Sequence, residues 1–145
     1  MSYNIRKINK NDFYKKYLDL LSELSIVEDT YYEVFSENIE NINKNINHFI
    51  FVIEIDNIII GSITVLIEQK IIRNFSKVLH IEDLVVKKEY RKKNIAKKLI
   101  NYCINFAKKN KCYKIILNCE NKFKIFYEKL GFNNKNLEMS IYFNN

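Results

Sequence analysis

Proline and tryptophan are absent from this 145-residue sequence, and glycine occurs only twice. That scarcity excludes collagen-like and Gly/Pro-rich low-complexity architectures, and it leaves turns to residues such as Asn. Histidine is limited to His48 and His80, far apart in the chain. Cysteine is limited to Cys103, Cys112 and Cys119, an odd number without close CxxC pairing, so no metal site is expected. Cys103 falls on the apolar face of a helical pattern and Cys119 closes an apolar strand pattern, where a reduced cysteine acts as a small hydrophobe. No apolar run approaches the length of a bilayer span, and MSYNIRKINKND has no signal-peptide core. A soluble cytoplasmic protein without membrane partners is expected.

Hydrophobic residues make up 48% and aromatics 14%, well above the composition of a disordered tail. One domain spanning residues 1–145 is expected, long enough to bury a core. The net charge of +7 and pI near 9.2 favour an anionic partner: nucleic acid, an acidic membrane surface or a phosphorylated small molecule. Abundant Lys, Asn and Ile point to A/T-rich codon usage, so single lysines carry little information.

Residues Tyr3 to Ile8 alternate as a short strand. Asn11 or Asp12 is placed to cap a helix whose apolar residues Phe13, Tyr17, Leu20, Leu21 and Leu24 recur at helical spacing. A second helix covers Tyr31 to Asn45. HFIFVIEI and IIIGSITVLIEQ then read as strands joined by a two-residue turn at Asp56-Asn57. Lys77 to Val86 reads as a third long strand after a loop at Arg73-Asn74. Ile95 to Lys109 reads as a helix with Ile95, Ala96, Leu99, Ile100, Cys103, Phe106 and Ala107 toward the core. Tyr113 to Asn118 is a nearly continuous apolar strand of the kind expected at a sheet centre. A helix from Lys122 to Leu130 closes at Gly131, and Glu138 to Phe143 reads as a last strand. The alternation of strands and helices predicts an α/β (α+β) fold: a mixed sheet flanked by helices.

The stretch HIEDLVVKKEYRKKNIAKKLI, His80 to Ile100, opens with two acids and ends in a basic helix start. Arg91, Lys92, Lys93, Lys97 and Lys98 sit where the helix dipole disfavours cations, and a bound phosphate or pyrophosphate would relieve the conflict. A solvated basic face is the plainer reading of the charge run alone.

Arg91-Lys92-Lys93-Asn94-Ile95-Ala96 resembles the Arg/Gln-x-x-Gly-x-Gly/Ala motif with which GNAT-superfamily N-acetyltransferases hold the pyrophosphate of acetyl-CoA. Phe126-Tyr127-Glu128-Lys129-Leu130-Gly131-Phe132 is similar to the same superfamily's Φ-Tyr-x-x-Φ-Gly-Phe signature. HIEDLVV, CYKIILNC and FYEKLGF together resemble the narrower glucosamine-6-phosphate N-acetyltransferase family of eukaryotes, as do LSELSIV and IEQKIIR.

The resemblance implies a GNAT fold with a central twisted sheet and a splayed strand pair for acetyl-CoA, the cosubstrate. It implies direct attack by the 2-amino group of glucosamine 6-phosphate on the thioester. Tyr127 would protonate the departing thiolate, although an aromatic there also packs on Phe123 or Leu130. Backbone groups of Leu84, Val85 and Val86 would hold the pantetheine arm. Arg91, Lys92, Lys93, Asn94, Ile95, Ala96 and Lys97 would hold the pyrophosphate. Glu82 and Asp83 would lie against the sugar, with Glu120 as a secondary base. Being adjacent on an extended strand, Glu82 and Asp83 would point to opposite faces. Ser25, Lys70 and Arg73 would bind the 6-phosphate, with Tyr113 and Lys114 contributed from a neighbouring subunit of a homodimer that shares its active sites.

Two positions depart from the pattern. Asn94 stands where the motif has glycine, and Asn is the next most tolerant residue of positive φ. Tyr142 stands about where relatives often carry an arginine near the phosphate. The alternatives are another GNAT acceptor (a protein N-terminus, a lysine or a small amine), a nucleic-acid-binding module, or an inactive scaffold. The nucleic-acid reading is disfavoured because the cations gather at one helix start and do not alternate with exposed aromatics on a sheet.

Overall fold

In the computed structural model, which describes residues 3–143, five strands lie side by side in the order β1-β2-β3-β4-β5. They are β1 (Asn4–Lys7), β2 (His48–Ile55), β3 (Ile58–Gln69), β4 (Lys77–Val86) and β5 (Cys112–Leu117). The first three pairings are antiparallel, and β4 pairs β5 in parallel. A parallel neighbour requires a crossover, which α3 (Ile95–Lys109) supplies. The helices α1 (Tyr17–Leu21) and α2 (Tyr32–Lys44) cover the opposite face, and α4 (Lys124–Glu128) follows β5. The α/β arrangement expected from the alternation is present.

Burial on both faces explains why β2 and β3 read as nearly unbroken apolar runs. On one face Ile95, Leu99, Ile100, Cys103 and Ala107 of α3 pack on Phe51, Ile53, Ile63, Val65, Leu79 and Ile81. On the other, Tyr17, Leu20, Phe35 and Ile39 pack on Ile50, Val52, Ile59 and Val85. Gly61 brings α3 down onto the sheet: a Cβ there would lie 2.8 Å from Ile53 Cγ2 and 3.1 Å from Leu99 Cδ1. Asp56 and Asn57, with φ of 49° and 63°, make the two-residue turn between β2 and β3.

Five expectations change. The first helix is two pieces: a 3-10 helix at Lys10–Lys15 and then α1, separated by Lys16 at φ 60°. Its cap is Asn9, not Asn11 or Asp12; Asp12 answers from the third helical position in a capping box. Asp12 is fully buried because Arg6 binds both its oxygens, at 2.8 and 2.6 Å. β5 is an edge strand of the described sheet, not its centre, which leaves Tyr113, Lys114 and Ile116 exposed. The helix expected from Lys122 to Leu130 divides into a 3-10 turn, Asn121–Phe123, and the short α4. Residues 138–143 form no strand: the composition suits one, but they pair with no neighbour among the described residues, and Leu137, Met139, Ile141, Tyr142 and Phe143 are 81–93% exposed.

Candidate active site

The site begins where β4 leaves β5. Pairing of β4 with β5 ends at Ile81↔Leu117, whereas pairing with β3 continues to Gly61↔Val86. Residues 82–86 therefore have backbone on one side of the strand that β5 does not reach. This is the splayed pair that the resemblance implied.

A bulge in β4 shapes this opening. Ser62 pairs Val85 and Thr64 pairs Glu82, so Ile63 stands opposite both Asp83 and Leu84. Asp83 takes φ 50°, which breaks the alternation of side chains. The expectation of opposite faces assumed an extended strand, which the left-handed backbone at Asp83 interrupts; Glu82 and Asp83 are both exposed and both line one cleft. Leu84 is half-buried on the cleft wall, and Val85 and Val86 return to the core.

The cleft, of about 250 Å³, brings Glu82, Asp83 and Leu84 together with Glu120 and Tyr127. Tyr127 is placed by the end of α4, of which it is the penultimate residue, and by the turn at Gly131, whose φ is 94°. In that turn the Gly131 N–H donates to the Glu128 carbonyl at 3.0 Å and the Phe132 N–H to the Tyr127 carbonyl at 3.2 Å. The Tyr127 ring meets Phe126 and Phe132 edge-on, with centroids at 5.0 and 5.8 Å. Burial raises the pKa of its hydroxyl, and the neighbouring Cys119 raises it further, so the phenol stays protonated across the neutral range. Glu120 is exposed and paired with Lys122 at 2.8 Å.

Cys103 is fully buried, and burial pushes its thiol up to about 12. Cys119 is not the buried small hydrophobe expected: β5 stops at Leu117, and the Cys119 side chain lies exposed on the cleft. Leu24, one of the apolar residues at helical spacing in the expected first helix, lies past the end of α1, is 45% exposed and lines the cleft as well. Helical periodicity alone could not separate a core position from one just past the helix end.

The basic segment after β4 turns twice through left-handed backbone, with Lys92 at φ 60° and Asn94 at φ 62°, ψ 14°. Asn94 thus adopts the conformation for which the motif uses glycine. The first N–H of α3 bonded within the helix is that of Lys98, to the Asn94 carbonyl at 3.0 Å. The N–H groups of Ile95, Ala96 and Lys97 precede it, and Asn94 makes no side-chain cap. Arg91, Lys92, Lys93 and Lys97 are exposed around this turn, and the Lys93 ammonium sits 5.1 Å from the Tyr90 ring centroid. This is the geometry of an anion site.

The expected phosphate residues lie elsewhere. Arg73 and Lys114 gather on the Tyr113 ring, at 5.3 and 5.6 Å from its centroid. Lys70 pairs with Glu68, which also meets His80 Nε2 at 2.8 Å. Lys70 first, then His80, hold the Glu68 carboxyl below its usual range. These residues gather along β4 from Lys77 to His80, on the side of Glu82 away from Val86, with His80 two residues from Glu82. Ser25 stands apart from them, one residue from Leu24 of the cleft.

The model of the Acetyltransferase (GNAT) family matches residues 5–132. The chain belongs to that family. Among curated GNAT relatives, glucosamine 6-phosphate N-acetyltransferase of Arabidopsis thaliana is 37% identical, with 98% of this chain and 97% of the relative covered. Glucosamine 6-phosphate N-acetyltransferase 1 of Dictyostelium discoideum is 36% identical over 96% of this chain and 90% of that protein. The crystal structure of the Arabidopsis thaliana enzyme superposes with a TM-score of 0.95 at 37% identity, covering 99% of this chain and 100% of the other. As a GNAT member the protein is an acyltransferase that uses acetyl-CoA as cosubstrate.

Proposed function

We propose that this protein transfers the acetyl group of acetyl-CoA to the 2-amino group of glucosamine 6-phosphate, releasing N-acetylglucosamine 6-phosphate and CoA. The observation that carries this reading is the β4 bulge, which puts Glu82 and Asp83 beside Tyr127 in one cleft. The names and near full-length match of the relatives support the same acceptor. The product leads toward UDP-N-acetylglucosamine.

The pyrophosphate lies on the α3 start, against Arg91, Lys92, Lys93, Lys97 and the backbone of Asn94, Ile95 and Ala96. The pantetheine arm runs along Leu84, Val85 and Val86, extending the sheet where β5 is missing. Backbone N–H groups there polarise the thioester carbonyl. Glu82 and Asp83 orient the sugar and take the proton that the amine loses, with Glu120 within the same cleft as a second base. The amine forms its bond to the carbonyl carbon, the C–S bond breaks, and Tyr127 gives its proton to the thiolate. No covalent enzyme intermediate is formed.

Lys70, Arg73, Tyr113 and Lys114, gathered toward the Lys77 end of β4, serve the acceptor phosphate of a second copy of the chain. Two features support a homodimer: the open edge of β5, and the exposed apolar tail from Leu137 to Phe143, of strand composition. A cytoplasmic setting suits two charged, water-soluble substrates. Among the described residues no helix is long and apolar enough to cross a membrane.

A kinetic screen of amine acceptors with acetyl-CoA tests the substrate. Glucosamine 6-phosphate is expected to give the highest kcat/KM, with glucosamine far behind. Turnover confined to peptides or polyamines would overturn the reading. The bulge acids and the hairpin cations argue against such acceptors, which have no phosphate to clamp.

A further inference from the structure

One carboxylate oxygen joins the two halves of the site. Glu23 follows α1 on the segment that continues to Leu24 of the cleft and to Ser25. Its Oε2 accepts from the backbone N–H of Lys88 at 2.8 Å and from Arg91 Nη2 at 2.8 Å. Arg91 is fixed a second time, because its Nε donates to the Val86 carbonyl at 3.0 Å. Among the described residues no hydrogen bond occupies Arg91 Nη1, which remains for a ligand.

An isolated exposed Arg–Glu pair contributes little. This pair differs in two ways: the Glu23 side chain is only 25% exposed, and the same oxygen takes the backbone amide that opens the turn at Lys88–Tyr90. A carboxylate beside an anion-binding loop also opposes the anion by charge. Its contribution must then be orientation: it aims a guanidinium that would otherwise sample many rotamers.

We propose that Glu23 is a positioning residue that ties Arg91, and with it the pyrophosphate loop, to the acceptor-side segment at Leu24 and Ser25, so that acetyl-CoA and the acceptor bind cooperatively. The inference rests on the reading of Arg91–Ala96 as the pyrophosphate loop. Ordering that segment for one substrate orders it for the other, and the coupling is reciprocal.

The test uses the full chain and calorimetric titration of CoA, with and without saturating glucosamine 6-phosphate, a pair that cannot react. In the wild type the sugar phosphate is expected to tighten CoA about fivefold. In Glu23→Ala that factor should fall to near one with the melting temperature unchanged. Glu23→Gln, which keeps an acceptor for the Lys88 N–H but loses the charge facing Arg91, should fall between. Arg91→Ala should weaken CoA, and Glu23→Ala added to it should change nothing more. Should Glu23→Ala fail to fold, the factor in Glu23→Gln decides. An unchanged factor in the Glu23 variants, a wild-type factor of one, or tighter CoA binding in Glu23→Ala each overturns the inference. If Arg91→Ala leaves CoA affinity intact, the pyrophosphate reading falls too. If Arg91→Ala weakens CoA while the factor survives Glu23→Ala, only the positioning role falls.

Discussion

Replacing Tyr127 by Phe isolates one proton. The ring keeps its edge-on contacts with Phe126 and Phe132, and its hydroxyl has no protein hydrogen-bond partner among the described residues. Stability should therefore change by no more than about 0.5 kcal/mol. The hydroxyl's pKa is raised, chiefly by burial and then by Cys119, so in the wild type the acid form persists to higher pH than an exposed tyrosine's. Loss of a positioned general acid lowers a rate by roughly 10²–10⁴, or about 3–5 kcal/mol of barrier. We expect kcat of Tyr127→Phe to fall by at least about 100-fold, with the KM for acetyl-CoA within about twofold. The assay is thiol release under saturating glucosamine 6-phosphate, scanned with pH. Deprotonation of Tyr127 should set an alkaline fall in the wild-type rate, and the variant should lack that limb. A kcat within about threefold of wild type, or a CoA affinity that falls as far as kcat, would refute the assignment.

Asn94 holds φ 62°, so Asn94→Gly should bind CoA as tightly as the wild type or tighter, whereas Asn94→Val, β-branched in that conformation, should lose roughly tenfold or more in Kd. Mixing Lys70→Ala and Tyr127→Phe protomers tests the shared site. If the hairpin serves the partner, about a quarter of wild-type activity should return in a statistical mixture, and none if each chain is self-sufficient. Gly61→Ala should destabilise by about 1–3 kcal/mol in urea unfolding, because the added Cβ would meet Ile53 Cγ2 at 2.8 Å and Leu99 Cδ1 at 3.1 Å. A change below about 0.5 kcal/mol would mean that α3 shifts freely on the sheet.

The elements were legible where burial imposes a period. β4 and α3 fall on Lys77–Val86 and Ile95–Lys109 as read from pattern, because each presents a long apolar face to the core. The motifs located Tyr127 and the loop at Arg91–Ala96 for a different reason: their residue types are tied to local backbone shapes. What pattern could not supply was anything decided by a missing neighbour. YKIIL has the composition of a central strand yet sits at an edge of the described sheet, and residues 138–143 have strand composition with nothing beside them. Both features turn on whether a neighbouring strand is present, which the period of the segment itself does not encode.

The bulge was hidden for a further reason, one that begins with the scarcity of glycine. A chain with two glycines must still make left-handed turns, and among the described residues ten other than glycine take positive φ, against one at Gly131. Asp83, Lys92 and Asn94 are three of the ten, and Arg73, Asn74 and Phe75 at the β3–β4 hairpin are three more. The residues usually read as punctuation are thus replaced by Asp, Lys, Arg and Phe at the bulge, the loop before α3 and the hairpin. Each substitution costs roughly 1 kcal/mol or more in backbone strain for a non-glycine residue, less for Asn and Asp, and persists because the surrounding packing holds it. At Asp83 the strained residue lies in the bulge, and it lines the same cleft as Glu82. A glycine there would mark the bend in the sequence and remove the acid from the site.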